Sequence, residues 1–116
     1  MKAMTEQKLE QQNEAAILET ITRTIVEKFH PRRIVLFGSR ARGEGTEDSD
    51  YDVFVEMESS EIPPMRAVQI DRELGDRTWA LDLIVYTPEE VERFRTWRGT
   101  ILKTIESEGK VLYAAA

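Results

Sequence analysis

Apolar residues recur along this chain in two rhythms, one of about four residues and one of two. From Glu6 to Phe29 the rhythm is helical. Ile17, Ile21, Ile25 and Phe29 fall at four-residue intervals with Leu18 beside them, and Glu, Gln and Lys fill the opposite side. His30-Pro31 ends that helix, because the residue before a proline is pushed out of the α region. Ile34-Val35-Leu36-Phe37 then reads as a short buried strand. It runs into Gly38-Ser39, a tight turn with a short helix beginning near Ser39, and a loop through Thr46. From Asp50 to Met57 the rhythm is two: Tyr51, Val53, Val55 and Met57 face one way, and Asp50, Asp52, Phe54 and Glu56 the other. After a loop from Glu58 to Ile62, Pro63-Pro64 opens a helix carrying Met65, Val68 and Leu74 that stops at Gly75. Thr78 to Tyr86 make a third strand, with Leu81, Leu83 and Val85 on one face and Ala80, Asp82, Ile84 and Tyr86 on the other. Thr87-Pro88-Glu89-Glu90 spells a helix start, with Thr87 as N-cap and Glu90 closing a capping box. That helix, broken near Gly99, continues through Ile101, Leu102 and Ile105 to Gly109, and Val111-Leu112-Tyr113 adds a short edge strand. The order predicts an α+β (mixed α/β) fold, a small mixed β-sheet flanked by helices.

Composition narrows the class. At 116 residues with no linker-like tract, the chain reads as a single domain over residues 1–116. Hydrophobic residues make up 41%, enough for a core without staples, and the absence of Cys excludes disulfides and thiolate metal sites. A cysteine-free chain fits a reducing, cytoplasmic setting. No apolar run is long enough to span a membrane, and the polar stretch from Met1 to Glu14 lacks the apolar segment of a signal peptide. The net charge of −6 argues against direct nucleic-acid binding, which needs a basic footprint. It leaves room for a small anion held by local donors or by metal ions.

The chemistry gathers at three carboxylates set in otherwise apolar strands: Asp50, Asp52 and Asp82. Aspartate is disfavoured in strands, and a half-buried one needs a partner. Asp50 and Asp52 lie two apart, so they share a face about 6–7 Å apart. Two carboxylates at 4 Å repel by roughly 4 kcal/mol at an effective dielectric near 20. Arg40 and Arg42 are available to offset that repulsion. A divalent metal fits better, since Mg²⁺ favours carboxylate oxygens together with substrate phosphates. Gly38-Ser39 supplies a complementary half: glycine permits close backbone approach, a turn entering a helix points free N–H groups at an anion, and Ser39 adds a hydroxyl. The two halves meet if the first two strands are antiparallel, and Asp82 joins them if the third, reached through a helical crossover, runs parallel to the second. Gly-Ser, ten residues, then Asp-x-Asp arises by chance in roughly one chain of this length per thousand. Rival phosphate motifs fail: Glu44 stands where a P-loop needs Lys, and no G-x-G-x-x-G occurs.

Other residues carry weaker signals. Arg40 and Arg42 are placed either to touch phosphate or to pair with Glu44, Glu47 or Asp48. Glu56 shares the aspartate face and is expected to be solvated or paired. Arg93, Arg95, Trp97 and Arg98 form a basic, aromatic stretch, read first as a solvated helix face. His30 sits at a helix end, outside any catalytic grouping.

At these residues the sequence resembles the nucleotidyltransferases of the DNA polymerase beta superfamily, and more narrowly the minimal nucleotidyltransferase (MntA-like) antitoxins. Phe37-Gly38-Ser39-Arg40-Ala41-Arg42-Gly43, Ser49-Asp50-Tyr51-Asp52-Val53, Asp82 within Leu81–Val85, and the ending Glu108–Tyr113 carry the resemblance, which runs from Ile17 to Tyr113. The resemblance implies the nucleotidyltransferase fold and a reaction that uses two metal ions, Mg²⁺ above all. In that reaction a nucleoside monophosphate, AMP from ATP, moves onto a hydroxyl. It implies that Gly38 and Ser39 hold the β- and γ-phosphates, and that Asp50, Asp52 and Asp82 hold the metals. Larger relatives carry a second domain for the acceptor, so a chain this short is expected to find its acceptor on a separate chain or another copy of itself. For the antitoxin group that partner is a HEPN-domain ribonuclease toxin, modified with AMP on a tyrosine hydroxyl. Two other readings stand beside this one. One is a binding module that sequesters its partner and uses nucleotide only as a ligand. The other is a small-molecule nucleotidyltransferase completed by a dimer mate.

Overall fold

The computed structural model describes residues 6–116, with side chains from Asn13 onward. Met1–Thr5, where the polar N-terminal stretch begins, lie outside the described residues. In chain order the elements are α1 (Glu6–Phe29), β1 (Arg33–Phe37), α2 (Gly38–Ala41), β2 (Tyr51–Glu56), α3 (Pro63–Leu74), β3 (Leu81–Tyr86), α4 (Pro88–Arg95), α5 (Ile101–Glu108) and β4 (Lys110–Ala114). The four strands form one mixed sheet in the order β3-β2-β1-β4. β1 is antiparallel to both β2 and β4, whereas β2 and β3 are parallel, joined by α3. Parallel neighbours need such a crossover, because a tight hairpin can only reverse the chain.

The two-residue rhythm divides the core between the faces of this sheet. Ile34, Leu36, Tyr51, Val53, Val55, Met57 and Val85 pack with Ile21 and Ile25 of α1 and Ile70 of α3. Val35, Phe37 and Phe54 pack on the other side with Val91 of α4 and with Leu102 and Ile105 of α5. Ile21 and Ile25 are fully buried, while Ile17, Leu18 and Phe29 border the same cluster. α1 ends as its composition requires: His30 enters the left-handed region at φ 50°, and Pro31 follows. The capping box at Thr87 forms in full, with the Glu90 N–H donating to Thr87 Oγ1 at 3.2 Å and the Thr87 N–H donating to Glu90 Oε1 at 2.8 Å.

Of the apolar residues that the sequence places on α3, Leu74 borders the core and the other two do not. Met65 and Val68 point outward, each 40% exposed, and the helix buries Arg66 and Ile70 instead. The reason is polar. Arg66 Nε donates to the Glu61 carbonyl at 2.8 Å, and its Nη1 donates to the Val85 carbonyl at 3.1 Å and to Glu90 at 2.6 Å. This rolls α3 so that the arginine stem faces the sheet. The third strand also begins later than Thr78. Trp79 lies outside the ladder, edge-on to Tyr51 at 5.6 Å with the Arg77 guanidinium over its ring.

Candidate active site

Phe37, the last residue of β1, is paired in register with Asp52 of β2, and Asp52 is paired with Asp82 of β3. Adjacent strands lie about 4.8 Å apart, and paired residues share a face, so the two carboxylates stand side by side. That face is the one built from Phe54 and Tyr86, beneath α4 and α5. Asp50 lies one residue before β2 and is exposed. The first bond of the parallel ladder forms beside it, where the Tyr51 N–H donates to the Ala80 carbonyl at 2.9 Å.

The turn after β1 closes the arrangement. Gly38 adopts φ 75°, a left-handed conformation that glycine takes without strain. A Cβ at this position would overlap the Asp52 carboxylate, so only a bare backbone fits there. Gly38 and Ser39 open the single turn of α2, where the first N–H groups have no acceptor within the helix. The Gly38 carbonyl accepts from the Arg42 N–H at 3.2 Å and the Ser39 carbonyl from the Glu44 N–H at 2.9 Å, which folds the loop back over the turn.

Burial raises the pKa of the Asp52 carboxyl above the usual carboxylate range; the negative charges of Asp82 and Asp50 add to this, and Arg42 offsets part of it. Among the described residues, no three acidic or imidazole side chains already converge into a ready-made cation cage. The donor chemistry nonetheless fits a hard divalent ion: carboxylate oxygens whose charge Arg42 only partly compensates, beside a glycine that leaves their approach open.

The sequence treated Arg40 and Arg42 alike, and the structure separates them. Arg42 is partly exposed, acts electrostatically on Asp52, and is held by Glu44 Oε2 at 3.1 Å and Glu108 Oε2 at 3.7 Å. Arg40 is buried, with its guanidinium over the Tyr51 ring, and Tyr51 belongs to the opposite face of the sheet. Its hydrogen bonds go to Glu14 and to the carbonyls of Glu47 and Ser49. Sequence reasoning missed Glu14 and Glu108 as partners of these arginines, because the contacts span 26 and 66 positions with no local pattern to mark them. Glu56 is buried and paired, accepting from Arg33 Nε at 2.7 Å. Trp97 is 55% exposed at the end of an aromatic ladder that runs through Phe94, Tyr86 and Phe54, and His30 is exposed.

Comparison with known proteins agrees with this architecture. The protein adenylyltransferase MntA of Thermococcus cleftensis is 44% identical over 50 residues, covering 43% of this chain and 48% of its own. A Methanocaldococcus jannaschii protein, named as a candidate protein adenylyltransferase, is 43% identical over 47 residues, covering 40% of this chain and 47% of its own. The matched stretch thus spans about half the length of each curated relative. Among solved structures, a candidate nucleotidyltransferase from Sulfolobus solfataricus superposes with a TM-score of 0.63 at 19% identity, covering 98% of this chain and 93% of the other. A toxin–antitoxin structure with AMP-PNP gives a TM-score of 0.55 at 18% identity, covering 84% and 73%. These two share the fold. Residues 18–114 match the family described as the nucleotidyltransferase domain, and the chain belongs to that family.

Proposed function

We propose that this protein transfers AMP from ATP to a hydroxyl group of a partner protein. One observation carries the reading: Asp52 and Asp82 stand in register on adjacent parallel strands, and Gly38 packs directly against the Asp52 carboxylate. Family membership and the adenylyltransferase names of the curated relatives support it.

In this reading the backbone N–H groups of Gly38 and Ser39, with the Ser39 hydroxyl, hold the terminal phosphates, and Arg42 adds charge at the same end. Asp50, Asp52 and Asp82 would hold divalent metal ions, magnesium above all, which when bound supply neutralising charge to the phosphates and to the acceptor oxygen. The chain itself positions the reactants. It fixes the triphosphate on the turn and leaves the α-phosphorus open to an acceptor approaching past Asp82. The acceptor oxygen bonds to the α-phosphorus as the bond to the bridging oxygen breaks, pyrophosphate leaves, and the hydroxyl proton passes to solvent. Catalysis of this kind is mostly alignment and charge stabilisation.

The acceptor we favour is a toxin of the HEPN class, modified on tyrosine, with this chain as its antitoxin. The toxin–antitoxin neighbour and the MntA relative support a toxin partner. The test is incubation of the chain with ATP, Mg²⁺ and a HEPN-domain toxin, read by intact-mass spectrometry. One transferred AMP adds about 329 Da to the partner. Labelling of a small amine or sugar instead would move the acceptor to a small molecule. Protection of the partner without any mass change, persisting in Asp52→Asn, would make the protein a sequestering module.

A further inference from the structure

We propose that Arg40 is a positioning residue that fixes Asp50 and Asp52 against the Gly38-Ser39 turn and takes no part in holding phosphate. Its value for transfer rests on the functional reading above, while the clamp itself is testable without it. Arg40 follows the turn directly, so its backbone belongs to α2, whereas its side chain reaches the far end of the loop. Nε donates to the Ser49 carbonyl at 3.0 Å, and Nη2 donates to the same carbonyl at 2.8 Å and to the Glu47 carbonyl at 3.2 Å. Nη1 donates to Glu14 Oε2 of α1 at 2.9 Å. The guanidinium carbon lies 4.0 Å from the centre of the Tyr51 ring. Ser49 immediately precedes Asp50, and Tyr51 stands between Asp50 and Asp52. One planar cation therefore grips the residues on both sides of Asp50, the second of which also adjoins Asp52, while its own backbone continues directly from the Gly38-Ser39 turn. The loop is moulded to it: a Cβ on Gly45 would lie 2.7 Å from Arg40 Cγ and 3.2 Å from its Cα.

Arg40 cannot serve phosphate from this place. The side chain is 7% exposed and stacks on Tyr51, whose ring lies on the sheet face opposite Asp52. Lysine does not replace it, because a single ammonium cannot stack on the ring while bridging two carbonyls and a carboxylate.

The experiment uses the full chain carrying Arg40→Lys, Arg40→Met or the milder Glu14→Gln, with hydrogen exchange, melting temperature, and kinetics at varied ATP and Mg²⁺. In Arg40→Lys we expect amides from Gly43 to Asp50 to exchange about 10-fold faster while those of β1 keep their protection. We expect kcat to fall about 100-fold, as for reactants displaced by roughly 1 Å. KM for ATP stays within about 3-fold at saturating Mg²⁺, and the Mg²⁺ needed for half-maximal rate rises. Glu14→Gln, which keeps an acceptor oxygen, shows the same pattern at about a tenth of the size and covers the case in which an Arg40 variant fails to fold. A KM for ATP raised 10-fold or more with exchange unchanged would overturn the proposal and return Arg40 to the phosphates. Unchanged kcat per folded molecule, with only a lower melting temperature, would overturn it in favour of plain stability. If the unmodified chain transfers nothing to any acceptor, the functional reading fails, and the exchange rates of the loop still decide whether the clamp exists.

Discussion

The two faces of the sheet are made from alternate residues of the same strands, yet they end differently. On the α1/α3 face, Tyr51, Val53, Val55 and Met57 are buried from one end of β2 to the other. On the α4/α5 face, Phe54 is fully buried, while Asp52, one step nearer the strand start, is half-buried and Asp82 beside it is exposed. α4 and α5 cover the aromatic part of that face and stop short of the carboxylates. The contrast shows how a six-residue strand does two jobs. Its covered side anchors the backbone, and the anchored backbone holds the charged side chains of the open side where packing alone would never put them.

The largest effect that would sharpen this contrast lies on the open face. On the proposed function, Asp52→Asn or Asp82→Asn should lower AMP transfer by about 1,000-fold, measured with labelled ATP. The melting temperature of Asp52→Asn should hold or rise at neutral pH. The carboxyl pKa of Asp52 is raised in the folded chain, so its ionised form costs stability that the amide does not. Next comes the seam between the open face and the turn. Gly38→Ala should cost about 100-fold in transfer and about 1–3 kcal/mol in stability, since a left-handed alanine at φ 75° also meets the Asp52 carboxylate. Denaturant melts and transfer assays read the two losses separately. On the covered face the sign of the contrast reverses. Ile25→Ala should cost about 2–5 kcal/mol of stability, while the folded fraction keeps its KM for ATP. A KM shift there would show that the two faces do not act independently.

The smallest effect concerns the join between α3 and α4. Burial pushes the Glu90 carboxyl up, but hydrogen bonds from Arg66 and the Thr87 N–H outweigh it and leave the pKa below the usual range. Such a group adds stability above the ordinary carboxylate pKa and loses it as pH falls through the lowered one. Glu90→Gln should therefore destabilise by about 1–2 kcal/mol at neutral pH, with the gap to the unmodified chain closing on acidification. A pH series of melts checks it.

The elements were largely legible because their signals are local. The spacing from Ile17 to Phe29, the alternation around Val53 and the Thr87–Glu90 box each sit within a few residues of the structure they specify. The antiparallel pairing of β1 with β2 entered only as a condition for the site's two halves to meet, whereas the parallel run of β3 was legible at one remove, since a helical crossover admits few arrangements. The orientation of α3 was not, because the hydrophobic pattern favours Met65 and Val68, whereas the roll is set by the contact of Arg66 with Glu90, 24 positions away. The separate fates of Arg40 and Arg42 were hidden for the same reason. Two arginines two residues apart look equivalent until the fold brings Glu14 to one and Glu108 to the other.

Asp82 rides on β3, the margin of the sheet, which has a neighbour strand on one side only. Anything seated between Asp52 and Asp82 becomes, in effect, a second fastening for that border strand. A ligand held by both carboxylates should accordingly firm up the periphery of the domain more than its centre, so the domain's resistance to heat would double as a gauge of occupancy.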